Sequence, residues 1–154
     1  MLSRQEIEQH LKNPNVRKML GVIASAEGVK HGYNTMFGNE RLSDLSKHPG
    51  ILKEFTQTDG KKNKTSAAGR YQFLEPTWNG LAKQLGLKDF SPKSQDIAAV
   101  ALLAQNGALP HVLKGDIPTA VKKSGGTWAS LPSAPDSYKP VSYTHLTLPT
   151  TPYV

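Results

Sequence analysis

The sequence predicts a mainly helical α+β domain. Apolar residues recur at helical spacing in several short segments, capping residues bracket those segments, and one stretch between them, His31 to Asp59, breaks the period with Gly32, Gly38, Pro49 and Gly50. Ser3 to Leu11 reads as a first short helix. Asn13-Pro14 supplies an N-cap and a proline at the first helical position. The second helix follows, with Val16, Met19, Leu20, Ile23 and Glu27 on one stripe and Gly28 as its stop. The irregular stretch is expected to hold turns or a small hairpin, and Gly60 to Lys64 a basic, polar turn. Helices resume at Pro76, with Trp78, Leu81, Ala82 and Leu85 on one face and Gly86 at the end. Ser91-Pro92 caps the next, with Ile97, Val100, Ala101 and Ala104 inward and Asn106-Gly107 closing it. Asp116 caps a last short helix that stops at Gly125-Gly126.

With 154 residues the chain suits one domain with a real core, and 37% hydrophobic and 20% charged residues suit a compact fold. It has no cysteine, which excludes disulfides, thiolate metal sites and cysteine nucleophiles. The stretch from Met1 to Lys12 lacks the apolar core of a signal peptide, so no export signal is expected. Met19 to Ala26 is too short and too interrupted to span a membrane. The net charge of +7 is uneven: eight Lys/Arg face seven Asp/Glu up to Gly60, and eleven face five thereafter. That bias favours a polyanionic partner, which nucleic acid, anionic membrane and bacterial wall all satisfy.

Two features carry chemistry. Glu27 occupies a position on the apolar stripe where a structural residue would be Leu or Ala. Partial burial and the negative end of the helix dipole both favour its protonated form there. A carboxylic acid kept protonated near neutral pH is what protonation of a glycosidic oxygen requires. On periodicity alone, the commoner reading of such a residue is a helix-end carboxylate frayed into solvent. The second feature is Ser66-Ala67-Ala68-Gly69-Arg70-Tyr71-Gln72-Phe73. Small residues followed by an aromatic and an amide suggest backbone beside a ligand, with Ser66, Tyr71 and Gln72 available for sugar contacts, or else an ordinary turn into a core aromatic. The five histidines lack zinc-ligand spacing, so no metal site is expected, and His31, His48 and His111 read as surface or satisfied polar residues. Lys61, Lys62 and Lys64 read as a solvated loop, and Trp78 and Trp128 as core.

Ser25-Ala26-Glu27-Gly28, His31-Gly32-Tyr33 and Ala68-Gly69-Arg70-Tyr71-Gln72 stand in an order and spacing that resemble the lambda-type bacteriophage endolysins. The resemblance continues through Gln84 to Asp96, Gly107-Ala108-Leu109-Pro110, Gly115-Asp116-Ile117 and Trp128-Ala129-Ser130-Leu131-Pro132, covering roughly Val16 to Tyr138. It implies a lysozyme-like fold, with a small β-region forming one wall of a saccharide cleft, and lytic transglycosylase activity. By the same resemblance Glu27 matches the family's catalytic glutamate, and Tyr71 and Gln72 match a motif on the cleft floor. Tyr33 matches a structural Gly-Tyr pair. Tyr138 matches a tyrosine near the saccharide, although Lys139-Pro140 replaces the usual Gly-Gln. Beyond that point the similarity stops and the family's final helix is missing.

The resemblance implies a peptidoglycan lytic enzyme that acts without a cofactor and works as a monomer, with no nucleic-acid partner and no stable membrane insertion. It implies a protein made in the host bacterial cytoplasm that reaches the periplasmic wall after membrane permeabilisation. The expected reaction cleaves the β-1,4 bond between N-acetylmuramic acid and N-acetylglucosamine and leaves 1,6-anhydro ends. A hydrolytic muramidase would need a second carboxylate, for which Glu40, Asp44 and Asp59 are candidates. A non-catalytic polyanion binder is the alternative of another class. The catalytic domain is expected in residues 1–140. Residues 141–154 contain no Asp, Glu, Lys or Arg, but four Thr and two Pro. They resemble translated sequencing-adapter sequence and are expected to be a non-native or disordered tail.

Overall fold

The computed structural model describes residues 2–128 and 130–131. Tyr138 and the tail from 141 to 154 lie outside the described residues. Among the described residues, six α-helices accompany two small antiparallel sheets: α1 (Arg4–His10), α2 (Pro14–Glu27), a 3-10 turn (Gly32–Asn34), β1 (Thr35–Met36), β2 (Glu40–Arg41), β3 (Lys53–Thr56), β4 (Lys62–Thr65), α3 (Glu75–Leu85), α4 (Pro92–Gln105), α5 (Leu109–Leu113) and α6 (Ile117–Ser124). The α+β class expected from the sequence is the one observed.

Local chemistry sets most helix ends. In α1 the Ser3 hydroxyl accepts from the Glu6 N–H while the Glu6 carboxylate accepts from the Ser3 N–H, a reciprocal cap. The Asn13 side chain accepts from the Asn15 N–H at 2.8 Å to start α2, Ser91 accepts from the Ser94 N–H to start α4, and Asp116 accepts from the Thr119 N–H to start α6. Five of the six helices, α2 through α6, carry a proline in their first turn, where the missing N–H would have no partner in any case.

Helix α4 is the centre of the packing. Every residue from Ser94 to Leu103 is buried, so it has no solvent face, and α1, α2, α3 and α5 pack around it. The expected inward set was narrower, and it included Ala104, which is only half-buried. Trp78 and Trp128 are core residues, as expected; Trp78 meets Phe90 edge-on at 4.7 Å and Phe73 at 5.2 Å. Helix α5 was not foreseen: five residues are too few to show a period, and Pro110 in its first turn is the one signal for it.

The β-region departs from expectation at one place. Lys62–Thr65 is not part of a turn but strand β4, paired with β3 in the register Lys53–Thr65 to Thr56–Lys62. Only Phe55 and Thr65 of this hairpin are buried, so most of β4 shows no alternation of apolar and polar residues. Two-stranded sheets are marginal alone. These are tied down by Ala68, which bridges both Met36 and Phe73, and by a small apolar cluster of Phe37, Phe55 and Ala67.

One polar group joins the helical and irregular parts. The Asp96 carboxylate on α4 accepts from the Tyr71 hydroxyl at 2.5 Å, the Tyr33 hydroxyl at 3.0 Å and an Arg17 N–H of α2 at 2.9 Å. Asp96 is only 5% exposed, so each donor replaces a lost water. Asp96→Asn keeps the shape, removes the charge and turns an amide N–H₂ toward donors. It is expected to lower unfolding stability by about 1.5–3 kcal/mol, the range for hydrogen bonds to a charged group, seen as a lower urea midpoint at unchanged slope.

Candidate active site

Glu27 is the last residue of α2 and shares a face with Val16, Leu20 and Ile23, all fully buried. The chain leaves the helix at once. Gly28 adopts φ +66°, and its N–H caps the carbonyls of Ala24 and Ser25. Glu27 is therefore held in the core at 1% exposure rather than frayed into solvent. Among the described residues neither of its carboxyl oxygens accepts a hydrogen bond of regular geometry. Burial pushes its pKa well above the usual carboxylate range, and the Ser130 side chain acts against burial without overcoming it. The result is a carboxylic acid that keeps its proton where an exposed glutamate would lose it.

The segment from Ser66 to Phe73 is buried except for the partly exposed Arg70. Tyr71 is fully buried; its hydroxyl donates to Asp96 and accepts from Arg70 at 2.7 Å, and the Arg70 guanidinium lies over the rings of Tyr33 and Tyr71. Burial first, and the Asp96 charge second, raise the Tyr71 pKa, so the phenol stays protonated. Gln72 is 2% exposed, and its amide donates to the Gly69 carbonyl at 2.8 Å and the Thr35 carbonyl at 3.3 Å. The Ser66 hydroxyl accepts from the Glu75 N–H at 2.9 Å and so starts α3. Tyr71, Gln72 and Ser66, the expected sugar contacts, are all buried and hydrogen-bonded within the protein. Tyr138, the remaining expected contact, is outside the described residues.

Gly69 is required here by geometry. Its φ is +85°, and a Cβ would lie 2.5 Å from the Gln95 side-chain oxygen and 2.8 Å from the Phe90 ring. The close fit lets Gln95 accept from the Arg70 N–H while its amide donates to the Phe90 and Tyr33 carbonyls.

The three carboxylates considered as a partner for Glu27 are exposed and occupied locally. Glu40 pairs with Lys53 across the β-region. Asp44 accepts from the Ser46 N–H at 2.8 Å, and hydrogen bonds from Ser46 hold its pKa low. Asp59 accepts from the Lys61 N–H at 3.0 Å. No group of three or more potential metal ligands occurs among the described residues. His48 is buried with both nitrogens used: Nδ1 accepts from the Gly50 N–H, so Nε2 carries the proton and donates to the Phe73 carbonyl at 2.7 Å. Lys61, Lys62 and Lys64 are exposed on the β3–β4 hairpin, as a solvated face should be. Ser130 and Asp96 were missed as participants; a lone serine and a helical aspartate have no spacing that marks them.

The chain matches the Endolysin family model over residues 17–149, a span that runs past Pro140. It is 43% identical over 129 residues to the endolysin of Escherichia phage lambda, covering 78% of this chain and 79% of that protein. It is 34% identical over 133 residues to the endolysin of Escherichia phage P2, covering 78% and 81%. In three dimensions it is similar to lysozyme from bacteriophage lambda, with a TM-score of 0.68 and 41% identity over 77% of this chain and 80% of that one. It matches the lambda lysozyme complex with a chitohexasaccharide equally well, with a TM-score of 0.68 and 43% identity over the same shares. The lysozyme-like fold expected from the sequence is the fold present.

A protonated buried acid links stability to pH. Below the ordinary glutamate range, Glu27 is neutral in both folded and unfolded states, and its contribution is fully present. As pH rises, the unfolded chain ionises first and the contribution is lost, until pH passes the raised folded value. Glu27→Gln lacks this linkage. Urea denaturation across that window should show the Gln variant gaining stability relative to the parent as pH rises; parallel curves would contradict the assignment.

Proposed function

We propose, from the premise that this chain belongs to the phage Endolysin family, that it cuts peptidoglycan glycan strands as a lytic transglycosylase with Glu27 as its acid and base. Membership makes it a lysozyme-like glycosidase of the cell-wall-lysing class rather than a non-catalytic binder. The observation that carries the finer reading is the state of Glu27, buried and with a raised pKa, while the three candidate second carboxylates are exposed and engaged with their own neighbours.

A single carboxyl is sufficient for this reaction. Glu27 delivers its proton to the glycosidic oxygen, and the bond from that oxygen to the anomeric carbon breaks. The substrate's own N-acetyl group stabilises the charge that builds there. Glu27, now ionised, takes the proton of the muramic acid 6-hydroxyl as that oxygen closes the 1,6-anhydro ring. The proton count returns to its start, and neither water nor a cofactor enters. A hydrolase would need a second carboxylate to activate water or to act as nucleophile; Glu40, Asp44 and Asp59 are exposed and engaged with their own neighbours.

The basic second half suits a polyanionic wall and shortens the search for it. No helix among the described residues is long and apolar enough to cross a membrane. The reading also includes, from the family resemblance, action as a monomer on the periplasmic wall after the host membrane is permeabilised. It places the catalytic unit in residues 1–140.

Glu27→Gln should fold normally, by circular dichroism, and lose about 10²-fold or more of its release of soluble fragments from purified peptidoglycan. Mass spectrometry of the parent's digest should find fragments one water lighter than hydrolysis products and unchanged by borohydride. Reducible ends would assign a muramidase instead. Truncation after Pro140 should leave turnover within twofold of the parent, as measured on the same substrate.

A further inference from the structure

Among the described residues the exposed large apolar side chains are two neighbours, Ile51 at 51% and Leu52 at 64%. Exposed apolar residues scattered singly are ordinary; these two are contiguous. They also stand on a fixed base. The Gly50 N–H just before them donates to His48 Nδ1 at 3.0 Å, and the buried His48 ring meets Phe90 edge-on at 5.1 Å. Gly50 has φ +63°, and a Cβ there would collide with the Glu75 carboxylate, so this turn is pressed against the start of α3.

From Leu52 the chain enters β3 directly, and the register fixes what lies alongside. Lys53 pairs with Thr65, Glu54 with Lys64 and Thr56 with Lys62. Phe55 and Thr65 are buried, Phe55 against Phe37 at 5.6 Å, while Glu54, Thr56, Lys62 and Lys64 form the exposed face. Lys64, opposite Glu54, is two residues along from Leu52, about 7 Å. Between positions 47 and 64 five lysines face two carboxylates, Glu54 and Asp59. Lys53 is taken by Glu40, Lys62 lies 3.9 Å from Glu54, and Asp59 accepts from the Lys61 N–H. An aliphatic pair thus sits at the foot of a cationic hairpin.

Both halves of this edge select the same partner. Aliphatic side chains gain from the boundary between headgroups and acyl chains, and lysines at that depth gain from anionic lipid phosphates. A glycan strand or a nucleic acid would answer the lysines only, because the aliphatic pair offers a sugar neither a hydrogen bond nor an aromatic face.

We propose that this edge docks the protein on an anionic phospholipid surface, Ile51 and Leu52 entering the headgroup layer while Lys62 and Lys64 meet the lipid phosphates. The attachment is peripheral and reversible, since two side chains and two charges bury too little to anchor a chain permanently. It lies outside the chemistry assigned to Glu27 and does not depend on that assignment.

Cosedimentation of the full chain with vesicles tests it. The parent should bind vesicles of equal parts phosphatidylglycerol and phosphatidylcholine, and not those of phosphatidylcholine alone. Ile51→Ser/Leu52→Ser should weaken that binding about tenfold. Lys62→Gln/Lys64→Gln should weaken it about tenfold at low salt and less at high salt. All four positions are at the surface, so circular dichroism should be unchanged and fragment release from purified peptidoglycan should stay within about twofold of the parent. Parental vesicle binding in Ile51→Ser/Leu52→Ser overturns the proposal, since net charge alone would then account for it. A variant that keeps vesicle binding and loses fragment release overturns it as well, and assigns this edge to the glycan.

Discussion

The Asp96 carboxylate is bound from three directions, and each donor belongs to a different part of the chain. Arg17 lies in α2, Tyr33 in the turn that follows it, and Tyr71 in the loop that leads to α3, while Asp96 itself projects from the buried helix α4. Hydrophobic packing alone would bring α2 and α4 together without fixing how the irregular segment lies on them, because apolar contacts are non-directional. Hydrogen bonds to one charged group are directional, and in a buried site an unmade one is heavily penalised. The Asp96 cluster therefore sets the position of the irregular chain against the helices, and with it the walls around the end of α2.

Two buried carboxyls in one small domain meet opposite fates. Asp96 is surrounded by donors, whereas Glu27 has none of regular geometry among the described residues. The first arrangement stabilises a charge and the second resists one.

Most helix boundaries were legible because they are set by local chemistry: Ser3, Asn13, Ser91 and Asp116 accept from the N–H groups their positions imply, and Gly28 and Gly86 end the helices they follow. Glu27 was legible as a misfit in an apolar stripe. The reach of burial was less so. The inward face of α4 was read too narrowly because one helical stripe was expected, whereas Ala98, Ala99, Leu102 and Leu103 are buried off that stripe and the polar Ser94, Gln95 and Asp96 are buried with partners from other parts of the chain. The sequence likewise does not show that Ser66, Tyr71 and Gln72 meet the Glu75 N–H, Asp96 and the Gly69 carbonyl inside the fold. Strand β4 hid because its first three residues, Lys62, Asn63 and Lys64, are all exposed. A sequence displays a residue's hydrogen-bonding capacity but not whether that capacity is already spent.

The prolines at the starts of α2 through α6 carry an implication for how this architecture tolerates changes in length. A proline ring disfavours helical conformation in the residue before it, and Asn13 and Ser91, which precede Pro14 and Pro92, are extended, so α2 and α4 do not readily grow backward into their preceding loops. Residues inserted ahead of these two caps would remain as loop and leave the helical register downstream intact. The junctions act as expansion joints, and the surface near them is where foreign segments, such as a targeting peptide for a different bacterial envelope, would disturb the core least.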